Sequence, residues 1–217
     1  MNVKAKERWE KDIDKYDLEH LRLRQIGKLI NEINPSSYVD LGCGKGKLGT
    51  LTPNAEYVGC DFAMSEGNHN FKFFYCDFNN EQLPAQIYGH PLFACSGLLE
   101  YIENVDGFLK QINDALTKNG RLVISYFNMN HISRILAMLK GRSFPVHTDW
   151  RSFFSPTDFI KKLEQNGFLV ERIVPVSHGL KSSTAVGETL NNKLVLPLCR
   201  FYSKQLAHQL IFICLKK

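Results

Sequence analysis

The chain contains no C-x-x-C pair, no apolar run approaching the ~18 residues of a membrane span, and no block of like charge. Each absence removes a class. Without paired cysteine spacing, the six cysteines (Cys43, Cys60, Cys76, Cys95, Cys199 and Cys214) read as small buried hydrophobes in a reducing compartment, not as disulfide or metal ligands. The net charge of +5 is spread along the chain. It permits an anionic substrate, but no basic stripe interleaved with aromatics appears, so no nucleic-acid partner is expected. The first residues, "MNVKAKERWEKDIDKYDLEH", are charged throughout and lack an apolar h-region, which predicts a cytoplasmic protein without a secretory signal. Internal repeats and low-complexity tracts are also missing. With 44% apolar and 23% charged residues over 217 positions, the composition suits one globular domain spanning 1–217.

What is present alternates. Residues 17–33 place Leu18, Leu21, Ile26, Leu29, Ile30 and Ile33 at helical spacing, and Pro35 with two serines stops that helix, closing an N-terminal helical segment over 1–35. Short apolar runs follow: "YVDLGC", "EYVGCD", "FKFFYCD", "PLFACSGLL", "RLVISYF", "FLVERIVPV" and "HQLIFICLKK". Between them, "NVDGFLKQINDALTKNG" puts Val105, Phe108, Leu109, Ile112 and Leu116 on one stripe, with Asn104 as N-cap and Asn119-Gly120 as the stop. "SPTDFIKKLEQNGF" reads as a helix capped by Ser155, with Pro156 in its first turn and Asp158 in the capping-box position. Strands alternating with helices predict a doubly wound α/β sheet. Residues 128–154 and 177–205 fit no sheet element and are expected to form substrate-side insertions.

The stretch "VDLGCGKGKLG" raises the functional question. Gly44, Gly46 and Gly49 match G-x-G-x-x-G, yet Asp40 stands just ahead of them. In an open α/β sheet the ligand lies at the carboxyl ends of the strands. A pyrophosphate there would face the Asp40 carboxylate, and two unit charges ~4 Å apart at an effective dielectric of ~20 repel by ~4 kcal/mol. A ligand carrying an ammonium or sulfonium and no phosphate turns that penalty into attraction. S-adenosylmethionine is such a ligand. A nicotinamide-dependent oxidoreductase, the rival that the glycines alone suggest, is disfavoured by Asp40 and Asp77.

These residues resemble a known family. "VDLGCGKG" is similar to the glycine-rich first motif of class I S-adenosylmethionine-dependent methyltransferases, "VGCD" to their second-strand acidic motif, "YCDFN" to the third-strand motif and "FACSGLLEYI" to the fourth. The resemblance implies a Rossmann-like seven-stranded sheet, mostly parallel with the last strand antiparallel and helices on both faces. It implies that Asp40, Gly42, Cys43, Gly44 and Gly46 form the cofactor turn, and that Asp61 accepts the ribose hydroxyls. Cys76 and Asp77 would meet the adenine amino group, with Phe62 and Phe78 on the base and Ser96 and Gly97 at the methionine end. Two departures stand out: His90 opens the fourth strand in place of the family's Asp, and Tyr101 replaces the histidine of L-E-H.

Beyond the fifth strand, the layout resembles small bacterial methyltransferases of polysaccharide and lipid precursors, and also the methionine-biosynthesis W protein family. The first likeness implies methyl transfer to a small-molecule or carbohydrate/lipid-linked acceptor, at oxygen. The second implies a cofactor-binding module that partners a biosynthetic enzyme. Methyl transfer needs alignment, and a hydroxyl acceptor also needs a general base. His131, His147 and Tyr101 are the candidates, although lone histidines on polar loops are most often merely solvated. No metal site is expected, since "HTDW" lacks a second ligand cluster. Oligomeric state leaves no mark in the sequence.

Overall fold

The computed structural model describes residues 21–63, 71–141, 150–176 and 207–217. The leading helix α1 (Leu21–Ile33) turns Ile26, Leu29 and Ile30 into the core and stops at Asn34, whose positive φ and amide bond to the Ile30 carbonyl close the last turn. Strand β1 (Ser37–Leu41) leads through the glycine turn to the single-turn helix α2 (Lys47–Thr50) and then β2 (Glu56–Asp61). Strands β3 (Lys72–Tyr75) and β4 (His90–Cys95) precede α3 (Val105–Ala115) and the long strand β5 (Leu116–Phe127). Helix α4 (Ile132–Leu139), helix α5 (Pro156–Gln165), β6 (Phe168–Val176) and β7 (Gln209–Lys216) complete the described elements.

The strands form one seven-stranded sheet in the order β3-β2-β1-β4-β5-β7-β6. Pairs from β3 through β5 are parallel, while β7 runs antiparallel between β5 and β6. The predicted doubly wound sheet with an inverted last strand is therefore present. Side-chain alternation sorts the core into two layers. Val39, Leu41, Val58, Cys60, Phe93 and Phe212 pack with α3 and α5 on one face, and Tyr38, Leu92, Ala94, Val123 and Ile211 pack with α1 and α2 on the other. Cys43, Cys60, Cys76, Cys95 and Cys214 are all buried free thiols, in keeping with their apolar settings; Cys199 lies outside the described residues.

Two boundaries differ from the sequence reading. The third helix ends at Ala115, not at Asn119-Gly120, and Leu116 leaves the helical stripe to open β5. Its backbone is extended, it pairs with His90, and the Ala115 carbonyl is taken by the Gly89 amide, so tertiary pairing captures the last turn. The register then jumps from Leu116 to Arg121, leaving Asn119, with positive φ, inside a bulge. The fourth strand stops at Cys95, four residues before the apolar run does, because Gly97 adopts a positive φ and a 3-10 turn follows over Leu99–Tyr101. The second substrate-side insertion, 177–205, and the helical reading of residues 17–20 lie outside the described residues.

Helix α5 is anchored as its sequence predicts. Ser155 Oγ accepts from the Asp158 amide at 3.2 Å and donates to the Asp158 carboxylate at 2.6 Å. Ser155→Ala should lower stability to urea by about 0.5–2 kcal/mol with an unchanged m-value.

Candidate functional site

The site grows from the strand order. Strands β1 and β4 are neighbours whose chains diverge in sequence to either side, so a crevice opens past Leu41 and Cys95, the last residues they pair. Asp40 belongs to the α1-facing side of β1, the side that also carries Tyr38. Beyond it the chain turns back sharply. The Gly42 amide donates to the Cys60 carbonyl at 2.8 Å, and the Gly46 amide donates to the Cys43 carbonyl at 2.9 Å. Gly42, Gly44 and Gly46 all have positive φ. At Gly46 the requirement is double, because a Cβ there would lie 2.5 Å from the Phe71 ring.

The two carboxylates of this turn are held differently. Asp61, at the end of β2, is buried, and both its oxygens are engaged by backbone amides. Oδ2 accepts from Gly44 at 2.8 Å, and Oδ1 accepts from Phe62 at 2.7 Å and Ala63 at 3.3 Å. Burial lifts its pKa to about 6 while those amides pull it down. Asp61 thus ties the first-strand loop to the second. Asp40, only 3% exposed, has one donor: Tyr57 Oη reaches Oδ2 at 2.9 Å. Its Oδ1 is buried with no hydrogen-bond partner. Desolvation raises its pKa to about 7 against the Tyr57 bond, and the Asp61 charge adds to the rise. A buried carboxylate oxygen without a donor is costly, and it calls for a cation.

The crevice around Asp40 is lined by the glycine turn, Ser96, Gly97, Lys45, Lys47 and the side chain of Arg22 from α1. Ser96 Oγ is a second buried polar atom lacking a partner. No motif singles out Arg22, although it is 6% exposed and sits four and seven residues before Ile26 and Leu29. A charge on the apolar stripe of a helix is the signal that could find it.

The remaining cofactor-side positions divide. Cys76 is buried, with its amide on the Asp61 carbonyl. The Asp77 carboxylate accepts from the Asn79 amide at 3.1 Å and from Asn80 Nδ2 at 3.0 Å, closing the turn after β3. Phe62 is half-buried beside Asp61. Phe78, expected on the base, lies in the core edge-on to Phe108 at 5.7 Å between centroids, because its neighbour α3 presents an apolar stripe there. His90 contacts Ser37 Oγ at 2.8 Å, away from the crevice.

On the far side, past the ends of β4 and β5, a second polar group collects. Among the proposed base candidates, His147 lies outside the described residues. Tyr101 ends the 3-10 turn, with its carbonyl held by Asn79 Nδ2 at 2.9 Å. His131 is no solvated loop histidine: it is 2% exposed at the start of α4, edge-on to His208 at 5.0 Å. Arg134 joins it without any signal in the motifs, and Glu100 joins it from within the fourth motif, which assigns it no role. Glu100 is 1% exposed; its Oε1 accepts from the Phe127 amide at 2.9 Å and its Oε2 is buried without a partner. Burial pushes its carboxyl pKa up, opposed by the Arg22 and Arg134 charges and the Phe127 amide. Arg134 stacks its guanidinium over Phe127 and Trp150 at 5.5 and 5.9 Å. Among the described residues no cluster suits a metal ion, and no helix is long and apolar enough to cross a membrane.

Residues 9–173 match a family model described as a methyltransferase domain. No curated protein matches the sequence. The fold is similar to an S-adenosylmethionine-dependent methyltransferase from Mesorhizobium loti, with 17% identity over 92% of this chain and 100% of the other and a TM-score of 0.63. It is also similar to a methyltransferase from Thermotoga maritima, at 14% identity, 99% and 96% coverage and a TM-score of 0.64. A third likeness is to magnesium protoporphyrin IX methyltransferase of Synechocystis PCC 6803 with bound S-adenosylhomocysteine, at 16% identity, 100% and 89% coverage and a TM-score of 0.56. At these identities the likeness is one of fold.

The raised pKa of Asp40 has a sign that can be read in stability. The folded state holds the Asp40 proton more tightly than the unfolded chain does, so its contribution worsens as pH rises from about 4 to about 7. Asp40→Asn should therefore stabilise the ligand-free protein at pH 8 by on the order of 1–4 kcal/mol, with the gain shrinking steadily toward pH 5. Urea midpoints of both proteins across that range check it.

Proposed function

The chain belongs to the class I S-adenosylmethionine-dependent methyltransferases, and on that premise we propose that the β1–β4 crevice binds the cofactor and serves transfer to an oxygen of a small-molecule or carbohydrate/lipid-linked acceptor. S-adenosylmethionine is the cofactor, and it supplies an electrophilic methyl group on a sulfonium. The observation that carries the reading is Asp40 Oδ1, a buried anionic oxygen with no donor in a crevice edged by glycine amides. A phosphate ligand would meet that charge as repulsion, whereas an ammonium satisfies it. Ser96 Oγ, also lacking a partner, offers the same crevice a neutral hydrogen bond. Asp61 would hold a ribose hydroxyl through the lone pair its three amides leave on Oδ2. Asp77 would meet the adenine amino group.

His131 is the residue we assign to the acceptor's proton. It lies beyond the end of β5, buried against His208, on the side of the sheet ends where Glu100 and Arg134 gather. A positioned base contributes roughly 10²–10⁴-fold.

A second reading has its own support. Helix α4 exposes Ile135, Leu136, Met138 and Leu139, an apolar face that suits a module docking on a biosynthetic enzyme. In that case a stoichiometric partner would be recovered and no small-molecule pool would gain label.

Calorimetry should show saturable binding of S-adenosylhomocysteine, weakened at least tenfold by Asp61→Ala, while NAD gives no heat. Because Asp40 must be ionised to meet the cation, affinity should fall as pH drops below about 7 and binding near that pH should release a proton. With methyl-labelled cofactor and deproteinised cell extract, label should enter the small-molecule fraction, and His131→Ala should cut that rate roughly 10²-fold or more with cofactor affinity kept. NAD binding in place of the sulfur nucleoside would refute the reading.

A further inference from the structure

We infer that α4 is an interfacial helix whose outward apolar arc, bordered in sequence by basic and no acidic residues, seats the protein on an anionic lipid bilayer. The inference is independent of the cofactor crevice. Helix α4 is turned against the usual rule for a surface helix, because its charged residue faces inward. Arg134 is 7% exposed, its Nη1 donates to the Asn128 carbonyl at 2.9 Å, and its guanidinium lies over the rings of Phe127 and Trp150. His131, just before the helix, is buried as well. Those contacts fix the rotation of the helix and leave apolar residues outside. Ile135 is 41% exposed, Leu136 39%, Met138 65% and Leu139 78%. At ~100° per residue these four cover an arc of about 160°. The other exposed large apolar side chains among the described residues, Leu21, Tyr75, Tyr88, Phe153 and Leu169, each stand singly in the sequence.

Charge and size name the occupant. From Asn128 to Thr148 the sequence contains no aspartate or glutamate, while Arg134, Lys140 and Arg142 are basic, and the whole chain carries +5. Lys140 is exposed directly after the arc, and the Gly141 amide closes the last turn on the Met138 carbonyl at 2.9 Å. A helix of eight residues is ~12 Å long, well short of the ~30 Å hydrocarbon core, so it lies in the interface and does not cross. Apolar side chains then enter the acyl boundary while the adjacent ammonium meets lipid phosphates. A protein partner fits less well. Four side chains make a patch on the order of 400 Å², about half of the ~800 Å² per partner that a standard protein interface buries. On the role proposed for His131, which precedes the same helix, this seat would also bring a lipid-linked acceptor to the sheet ends; docking itself does not require that role.

Co-sedimentation of the full chain with vesicles tests it. Vesicles of equal parts phosphatidylglycerol and phosphatidylcholine should bind the protein roughly tenfold or more tightly than vesicles of phosphatidylcholine alone. Salt at ~1 M, where the screening length falls to ~3 Å, should remove most of that difference. Met138→Glu combined with Leu139→Glu should weaken binding to the mixed vesicles roughly tenfold or more, since the inserted apolar area is lost. Lys140→Glu should weaken it roughly fivefold or more, the worth of one basic residue at such a surface, and leave binding to phosphatidylcholine unchanged. All three positions face water, so the variants should melt as the wild-type protein does. No sedimentation with either vesicle, no preference for the anionic one, or variants that bind as the wild type does overturns the inference. So does a dimer, or a stoichiometric protein partner, that the Met138→Glu and Leu139→Glu substitutions release, because the arc then belongs to a protein interface. None of these outcomes bears on the cofactor reading, which calorimetry with S-adenosylhomocysteine tests separately.

Discussion

The structure depends on one unfavourable interaction, the burial of a negative charge at Asp40 with a single phenolic donor. Folding removes this carboxylate from water and returns only the Tyr57 hydroxyl, while Asp61 adds like charge from the next strand. A native interior seldom leaves such an oxygen unanswered. Asp61 shows that the same turn can satisfy a carboxylate: its three amide donors make it a clamp between two loops. The two acids of one turn thus differ: Asp61 gives three acceptor sites to backbone amides, while Asp40 keeps a buried oxygen with no donor.

The sheet explains why those groups meet. Alternation along β1 and β2 puts Asp40 and Tyr57 on the α1 face, so the helix that covers that face also reaches the crevice. Arg22 extends from it over the β4 loop, where Gly97 gives it room. The crevice is therefore walled by three segments distant in sequence, and its polarity runs from an anion on β1 to a cation on α1. Past the sheet ends a different neighbourhood takes over, built from Glu100, His131, Arg134 and aromatic rings. The backbone there is pinned by the Glu100 carbonyl, which accepts from the Arg151 and Ser152 amides, and by the Phe154 amide on the Tyr126 hydroxyl.

Local pattern carries much of this architecture. Short apolar runs locate the seven strands among the described residues, and "EYVGCD" and "FLVERIVPV" match their strands residue for residue. The capping chemistry at Ser155 is visible in the sequence because it is local. What escapes sequence reading is tertiary. Leu116 satisfies the helical stripe, and only its pairing with His90 turns it into a strand residue. Phe78 is the right residue type to cover a base, yet α3 claims it for the core. Arg22 and Arg134 belong to no motif, and Glu100 sits in the fourth motif without an assigned role; each is a charged residue whose surroundings come from what the fold brings beside it.

Ligand binding and stability are coupled through the same oxygen. Any ligand that binds only the folded state stabilises it in proportion to RT ln(1 + [L]/Kd). Here the ligand-free protein also carries the cost of an ionised, under-donated carboxylate above pH 7, so a cation in the crevice relieves a strain as well as adding contacts. On the proposed reading that relief depends on charge sign and not on shape, so a phosphate-bearing dinucleotide of similar size would not obtain it. On the proposed reading the glycine turn would accommodate either kind of ligand, and the aspartate before it would discriminate between them.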